Sequence, residues 1–183
     1  FGASKDFYDF IGWNTSEDGS GDWVERLYGV RGDTNLYAIY TPKVYTIVYA
    51  LDGGTYVESV NPNRIAYGEK ITLSPLLKAG HTFVGWFTAE DGGRQITEIN
   101  ADNIAELSTI YARFTPIKYT VELDAAGGEF VLGGNTYDYL DYEIYFGEEL
   151  VLPECVLAGY DFIGWYDESG ECVEVIDVEN IGN

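Results

Sequence analysis

The tetrapeptide Phe83-Val84-Gly85-Trp86 decides how the chain is read, because it stands three times in one register. Phe10-Ile11-Gly12-Trp13 precedes it by 73 residues, and Phe162-Ile163-Gly164-Trp165 follows it by 79. Outward from these points the flanks repeat as well. LYAIYTP at 36–42 recurs as IYARFTP at 110–116, and VYTIVYALDGG at 44–54 recurs as KYTVELDAAGG at 118–128, both at a step of 74. Tyr67-Gly68-Glu69 returns as Phe146-Gly147-Glu148, and Lys78-Ala79-Gly80 as Leu157-Ala158-Gly159. A fixed period of this length marks tandem structural units. The units are 1–42 (the C-terminal half of a repeat), 43–117 (a complete repeat) and 118–183 (a repeat without its closing strand). The extra residues of the third unit fall in the Gly/Asn/Tyr/Asp-rich stretch at 133–142, where a loop absorbs an insertion.

Period and punctuation give the elements of a unit. Tyr45, Ile47 and Tyr49 alternate with Thr46, Val48 and Ala50, as Tyr119, Val121 and Leu123 do with Thr120, Glu122 and Asp124. Both patterns predict a strand with one buried face, ending at a Gly-Gly turn. A second extended stretch turns at Gly68 or Gly147 and stops at Pro75 or Pro153, which cannot donate to a ladder. The Gly-Trp strand follows, then hairpin turns at Glu90-Asp91-Gly92-Gly93 and Glu168-Ser169-Gly170. Asn100-Ala101-Asp102-Asn103-Ile104 and Asp177-Val178-Glu179-Asn180-Ile181 predict a capped helical turn. A closing strand at 35–41 or 109–115 ends the unit. Each unit is thus expected to be a strand-rich α+β module, mainly β, with a short helix or helical turn.

The chain has 183 residues, 10 basic against 31 acidic, and a formal charge of −21. Hydrophobic residues at 46% and aromatics at 16% supply a packed core. The charge opposes binding to phosphate backbones, so a nucleic-acid partner is not expected. No apolar run approaches the roughly 18 residues of a membrane span. With no Met and an opening Phe1, the sequence reads as a mature or excised fragment. Residues 118–183 carry 1 basic and 16 acidic groups, a density that suits a solvated surface or a site for calcium or a basic partner.

The combined pattern resembles the Listeria–Bacteroides repeat family, found as the B-repeat of internalin-like bacterial surface proteins. The match rests on 119–128, on Phe146-Gly147-Glu148, on 159–166 with its Gly-Tyr-Asp-Phe-Ile-Gly-Trp-Tyr, and on Leu36-Tyr37-Ala38. In the second unit it rests on Tyr67-Gly68-Glu69, on 81–87 and on 110–114. The resemblance implies small β-grasp-like repeats, strung in tandem on secreted or cell-surface proteins as adhesion, interaction or spacer modules, with no catalytic residues and no cofactor. Protein or glycan partners of an extracellular protein follow from it as expectations.

Candidate residues sort mainly as architecture. Trp13, Trp86 and Trp165, with Phe10, Phe83, Phe162, Tyr37 and Tyr111, are expected in the core, since an aromatic repeated at a structural period is usually interior. Tyr137, Tyr139 and Asp141 lie in the insertion, as strand residues of a hairpin or as ligand contacts. Cys155 and Cys172 are the two cysteines and could form one disulfide. Arg31-Gly32-Asp33 occupies a turn, although it spells an integrin-recognition tripeptide. The run at 14–19 faintly resembles a calcium loop. His81 stands where Tyr160 stands in the next unit and fills an aromatic slot. No nucleophile–base pair or zinc set recurs, so no enzyme activity is expected. Lys43 and Lys118 sit at unit boundaries, unfavourably for an isopeptide cross-link. The incomplete first and third repeats offer open edges for self-association by strand addition.

Overall fold

The computed structural model describes residues 2–167 and 169–177, and the chain divides into two compact units. The first comprises Phe1–Leu76 and Val84–Arg113, the second Leu77–Phe83 and Phe114–Asn183.

In the first compact unit Tyr8–Asn14 is the central strand of a three-stranded antiparallel sheet, flanked by Trp23–Val24 and Tyr37–Pro42. Its pairing register shifts between Phe10 and Gly12. A four-stranded sheet runs in the order Gln95–Ile96, His81–Phe87, Thr109–Pro116, Val48–Ala50. The closing strand Thr109–Pro116 is parallel to Val48–Ala50, pairing Thr109 with Val48 and Tyr111 with Ala50. Alternation then decides what is buried. Ile110 and Ala112 point inward with Ile47, Ile65, Leu76, Trp86, Ile96, Ile99 and Ile104, while Val48 faces solvent.

In the second unit Lys118–Asp124 pairs antiparallel with Tyr139–Tyr145 through seven residue pairs. Phe130–Leu132 and Asn135–Tyr137 form a hairpin that leads into the insertion. Short ladders join Leu150–Val151 to Val175–Ile176 and Trp165–Tyr166 to Cys172–Val173. Leu123, Ala125 and Phe130 form the buried centre, with Val121, Leu140, Tyr142, Leu152, Cys155 and Trp165 packed around them.

The turns explain the recurring glycines. Leu51-Asp52-Gly53-Gly54 and Ala125-Ala126-Gly127-Gly128 close with the Gly54 and Gly128 amides donating to the Leu51 and Ala125 carbonyls, at 2.8 and 2.9 Å. The two central residues of each have positive φ (48° and 76°, 52° and 90°), the geometry of a type I′ turn. The second glycine is needed for space instead, since a Cβ on Gly128 would meet the Val156 carbonyl oxygen at 2.7 Å. In Tyr67-Gly68-Glu69 and Phe146-Gly147-Glu148 the glycines have φ of 95° and 96°. Each glutamate reaches back, Glu69 Oε2 accepting from the Ala66 amide at 2.7 Å and Glu148 Oε2 from the Tyr145 amide at 2.8 Å.

Two expectations are corrected by the fold. The described residues are strands, turns and irregular chain without helix, so the α component of the expected α+β module is absent. Residues 100–107 form successive turns. The Ile104 amide donates to the Asn100 carbonyl, but the next bonds span three residues, from Glu106 to Asn103 and from Leu107 to Ile104. Asn103 is drawn out of helical service: its Oδ1 accepts from the Asn100 amide and its Nδ2 donates to the Glu98 carbonyl. For the turn expected at 177–181, residues 178–181 lie outside the described residues, as does Glu168 of the predicted hairpin turn. The second correction concerns the core set, in which Tyr37 and Phe162 are each 36% exposed. Tyr37 matches Tyr111, half-buried and out of phase with the inward Ile110 and Ala112. Phe162 has no closing strand beside it among the described residues.

Candidate functional site

Two indoles occupy equivalent berths. Trp86 Nε1 donates to the Ser74 carbonyl at 2.8 Å and Trp165 Nε1 to the Pro153 carbonyl at 2.7 Å. Ring partners correspond too: Tyr56 is stacked on Trp86 at 6.5 Å, and Phe130 on Trp165 at 5.9 Å. Phe10 meets Trp13 edge-on at 5.7 Å, as Phe162 meets Trp165. Trp86 is 2% exposed, whereas Trp13 and Trp165 are half-buried. Phe83 and Tyr111 are half-buried as well. Tyr49 lies edge-on to Trp86, donates its hydroxyl to the Pro62 carbonyl at 2.8 Å, and has its pKa pushed by burial to about 12.

The feature built most alike in successive repeats is the junction between them. In the first, the Lys43 amide donates to the Phe7 carbonyl at 3.0 Å and the Tyr67 amide to the Lys43 carbonyl at 2.8 Å. In the second, Ile117 donates to Gly80 at 2.9 Å and Phe146 to Ile117 at 2.9 Å. Phe7 and Gly80 both sit at positive φ, 65° and 67°. Tyr67 stacks on the Phe7 ring at 4.6 Å; Phe146 lies over Gly80 so closely that any Cβ there would collide with its ring. Tyr67 also meets Tyr8 edge-on at 5.8 Å, and Phe146 meets His81 edge-on at 5.7 Å. Lys5 lies over the Tyr8 ring at 4.1 Å, and Lys78 over Phe114 at 5.3 Å, in cation–π contact. His81 therefore serves as an aromatic edge, with Nδ1 2.8 Å from the Ala79 carbonyl. Sequence reasoning missed this junction, although Tyr67/Phe146 and Lys5/Lys78 recur in register and could have revealed it.

The third repeat presents an acidic, tyrosine-bearing face. Tyr139, Asp141, Glu143 and Tyr145 point outward from one strand, opposite Asp124, Glu122, Thr120 and Lys118 of its partner. Tyr139 is 62% exposed and its phenol pKa is raised by the Asp124 carboxylate. Glu122 stands directly across from Asp141, an unfavourable like-charge pairing. Lys118 relieves the far end by pairing with Glu143 at 2.7 Å, which raises the lysine pKa. Tyr137, on the neighbouring hairpin, is 43% exposed. Lys43 is exposed too.

The loop at 14–21 spends its oxygens on itself. Asn14 is fully buried; its Nδ2 donates to the Gly19 and Gly21 carbonyls, both at 3.1 Å, and its Oδ1 accepts from the Ser16 amide at 2.8 Å. Asp18 Oδ1 accepts from the Ser20 hydroxyl at 2.6 Å and the Ser20 amide at 3.0 Å, which lowers its pKa from 3.8 to about 2. A carboxylate depressed on folding stabilises the loop above the ordinary value, and that contribution is lost as pH falls through about 2. A carboxyl-carbon NMR titration should therefore place the Asp18 midpoint near pH 2, and Ser20→Ala should raise it. Among the described residues no group of three or more His, Cys, Asp and Glu side chains is placed to hold a metal ion. Residues 31–33 are exposed in the loop between Trp23–Val24 and Tyr37–Pro42.

The cysteines do not pair in this structure: both are free thiols, Cys155 packed against the Phe130 cluster and Cys172 exposed on its short strand.

The sequence profile of the Listeria-Bacteroides repeat domain matches residues 2–39, 45–113 and 119–181. A protein of Evansella cellulosilytica, provisionally named a Gly-rich membrane protein, is 33% identical over 90% of this chain and 18% of its own length. A second Evansella protein, provisionally named a membrane protein, is 30% identical over 98% of the chain and 27% of its own length. Internalin H of Listeria monocytogenes is 34% identical over 68% of the chain and 20% of its own length. The chain thus spans between 18% and 27% of these relatives' lengths. No solved structure matches it significantly. Among the described residues no helix is long and apolar enough to cross a membrane.

Proposed function

The chain belongs to the Listeria-Bacteroides repeat domain family, and from that membership we propose that it is a non-catalytic tandem-repeat segment of a bacterial surface or secreted protein, working as a spacer and interaction module. The observation that carries this reading is the junction made twice from equivalent residues: two backbone hydrogen bonds, an aromatic ring seated on a left-handed turn, and a lysine over the ring of the closing strand, Lys5 over Tyr40 and Lys78 over Phe114. A connector rebuilt from residues in the same register belongs to a tandem array, and this supports the spacer reading. The names of the Evansella relatives and of Internalin H support a place at the cell surface. Protein or glycan partners would meet exposed loops and strand faces, the tyrosine-bearing face of the third repeat among them.

A spacer held by buried rings and backbone bonds keeps its dimensions when charges are screened. Small-angle scattering should give the same profile in low and high salt, and with or without millimolar calcium. A profile or melting curve that shifts with calcium would favour the second reading, in which the acidic third repeat binds calcium or a basic ligand through the face bearing Glu122, Asp124 and Asp141.

A further inference from the structure

The second repeat holds a pocket that the third repeat closes. Val44–Thr46 pairs with Arg64–Ala66, and beyond that ladder the Ile47 amide donates to the Asn63 carbonyl at 2.9 Å. The two segments then part, and Val48–Ala50 becomes the edge of its sheet. In the third repeat the equivalent strand, Lys118–Asp124, stays paired with Tyr139–Tyr145 to its end, Leu123 with Leu140 and Asp124 with Tyr139. The parting leaves a pocket of about 640 Å³, walled by 46–49 and Leu51 on one side and by Tyr56 and 60–63 on the other. Both walls belong to the complete repeat and to the first compact unit.

Two buried polar groups in these walls are left over. Asn61 is 4% exposed; its Oδ1 accepts from the Ser74 amide at 2.8 Å, but its Nδ2 has no hydrogen-bond partner. The buried Tyr56 hydroxyl completes no hydrogen bond either, although the Asn61 side chain and backbone amide face it. Leaving buried donors unmade costs stability, so two of them in one wall mark a place where another polar group fits. The repeat register points the same way. At a step of 74, Tyr49 becomes Leu123 and Tyr56 becomes Phe130. Both hydroxyls are thus present where the pocket is open and absent where paired strands close it. Tyr49 uses its hydroxyl to hold the Pro62 carbonyl of the opposite wall at 2.8 Å, while that of Tyr56 is left for a ligand.

We propose that this pocket binds a neutral sugar ring. Among the described residues its walls carry no charged side chain, and the chain's charge of −21 disfavours an anionic ligand. Tyr49, Leu51, Tyr56 and Val60 offer apolar surface for the face of a ring. Asn61 Nδ2 supplies a donor, and the Tyr56 hydroxyl a donor and acceptor, for the ring's own hydroxyls. An extended peptide finds less here, because the open edge is a strand of three residues. The two polar atoms are closed to solvent, so the segment 57–63, which lies outside any strand, moves aside to admit the ring. Such a site rests on the interaction half of the proposed function and gives it a ligand class; the spacer half stands without it.

The test titrates the isotope-labelled 183-residue chain with glucose, galactose, mannose and N-acetylglucosamine, followed by NMR. At least one of these sugars should saturably shift the Asn61 side-chain amide and backbone amides within 46–63, leaving 118–145 unmoved. Tyr56→Phe keeps the ring and matches Phe130 of the third repeat, so the chain should fold and bind about tenfold more weakly, having lost one hydrogen bond. No saturable shift with any of these sugars, shifts centred elsewhere, or unchanged affinity in Tyr56→Phe overturns the proposal. So does a stronger response to tetra-alanine than to any sugar, which would make the pocket a peptide site. None of these results alters the scattering profile, by which the spacer reading is judged separately.

Discussion

Replacing Trp86 with alanine should cost about 3–5 kcal/mol of stability, the range for removing a large aromatic from a packed core. The indole is 2% exposed, lies edge-on to Tyr49 at 5.5 Å and stacks on Tyr56 at 6.5 Å. Its strand partner Ile96 is buried beside it. Alanine would leave a cavity that these rigid neighbours fill poorly, and would deprive the Ser74 carbonyl of its indole donor, at a further cost of about 1 kcal/mol. Small domains hold only about 5–15 kcal/mol in total, so most of the first compact unit's margin would go. Urea unfolding followed by far-ultraviolet circular dichroism checks this, through a large drop in the midpoint. Trp86→Phe keeps a ring and loses the donor, and should fall between. Trp13→Ala should cost less, because Trp13 is only half-buried. A Trp86→Ala chain with an unchanged midpoint would refute the assignment of the indole to the core.

The reason Trp86 could be chosen from sequence is the reason much of the fold could. A period imposes equivalent environments, so Tyr45-Ile47-Tyr49 and Tyr119-Val121-Leu123 declared their inward faces, and the glycines at 53, 68, 127 and 147 declared turns with positive φ. The features that escaped depended on contacts that periodicity does not encode. The run at 100–104 has the side chains of a helix cap, but Asn103 bonds backward to Glu98 and Asn100 and the chain turns without coiling. Tyr37 looked interior because it is aromatic and recurrent, yet strand phase is set by its smaller neighbours, as Ile110 and Ala112 show in the equivalent strand. Phe162 shares its tetrapeptide with the half-buried Phe10 and Phe83 and still stands 36% exposed, because burial in a sheet belongs to the pair of strands and not to one of them. The junction was least legible. It joins residues 60 and more apart, Phe7 with Tyr67 and Gly80 with Phe146, through a backbone conformation that phenylalanine rarely adopts. Asn14 likewise resembled a ligand and proved to be a buried clasp.

Phe130 carries the core of a repeat that has no closing strand among the described residues. In the second repeat the equivalent residue, Tyr56, shares Trp86 with Tyr49 and with the buried strand partner Ile96. In the third, Phe130 is completely buried, stacks on Trp165 with a 10° interplanar angle, and is the largest side chain of a buried cluster otherwise made of Leu123 and Ala125. Phe130→Ala should therefore cost about 3–5 kcal/mol, all of it in the second compact unit. Phe130 packs in the Leu123–Ala125–Phe130 cluster of the second compact unit, so the loss should appear as one early transition and not as a uniform shift. Hydrogen-exchange mass spectrometry distinguishes the outcomes. Amides of 118–124 and 139–145 should exchange fast in the variant, while those around Ile47 and Ile110 keep their protection. Phe130→Leu retains most of the volume and should recover most of the difference. Loss of protection spread evenly over both units would mean that the chain unfolds as one cooperative body, and that Phe130 supports more than its own repeat.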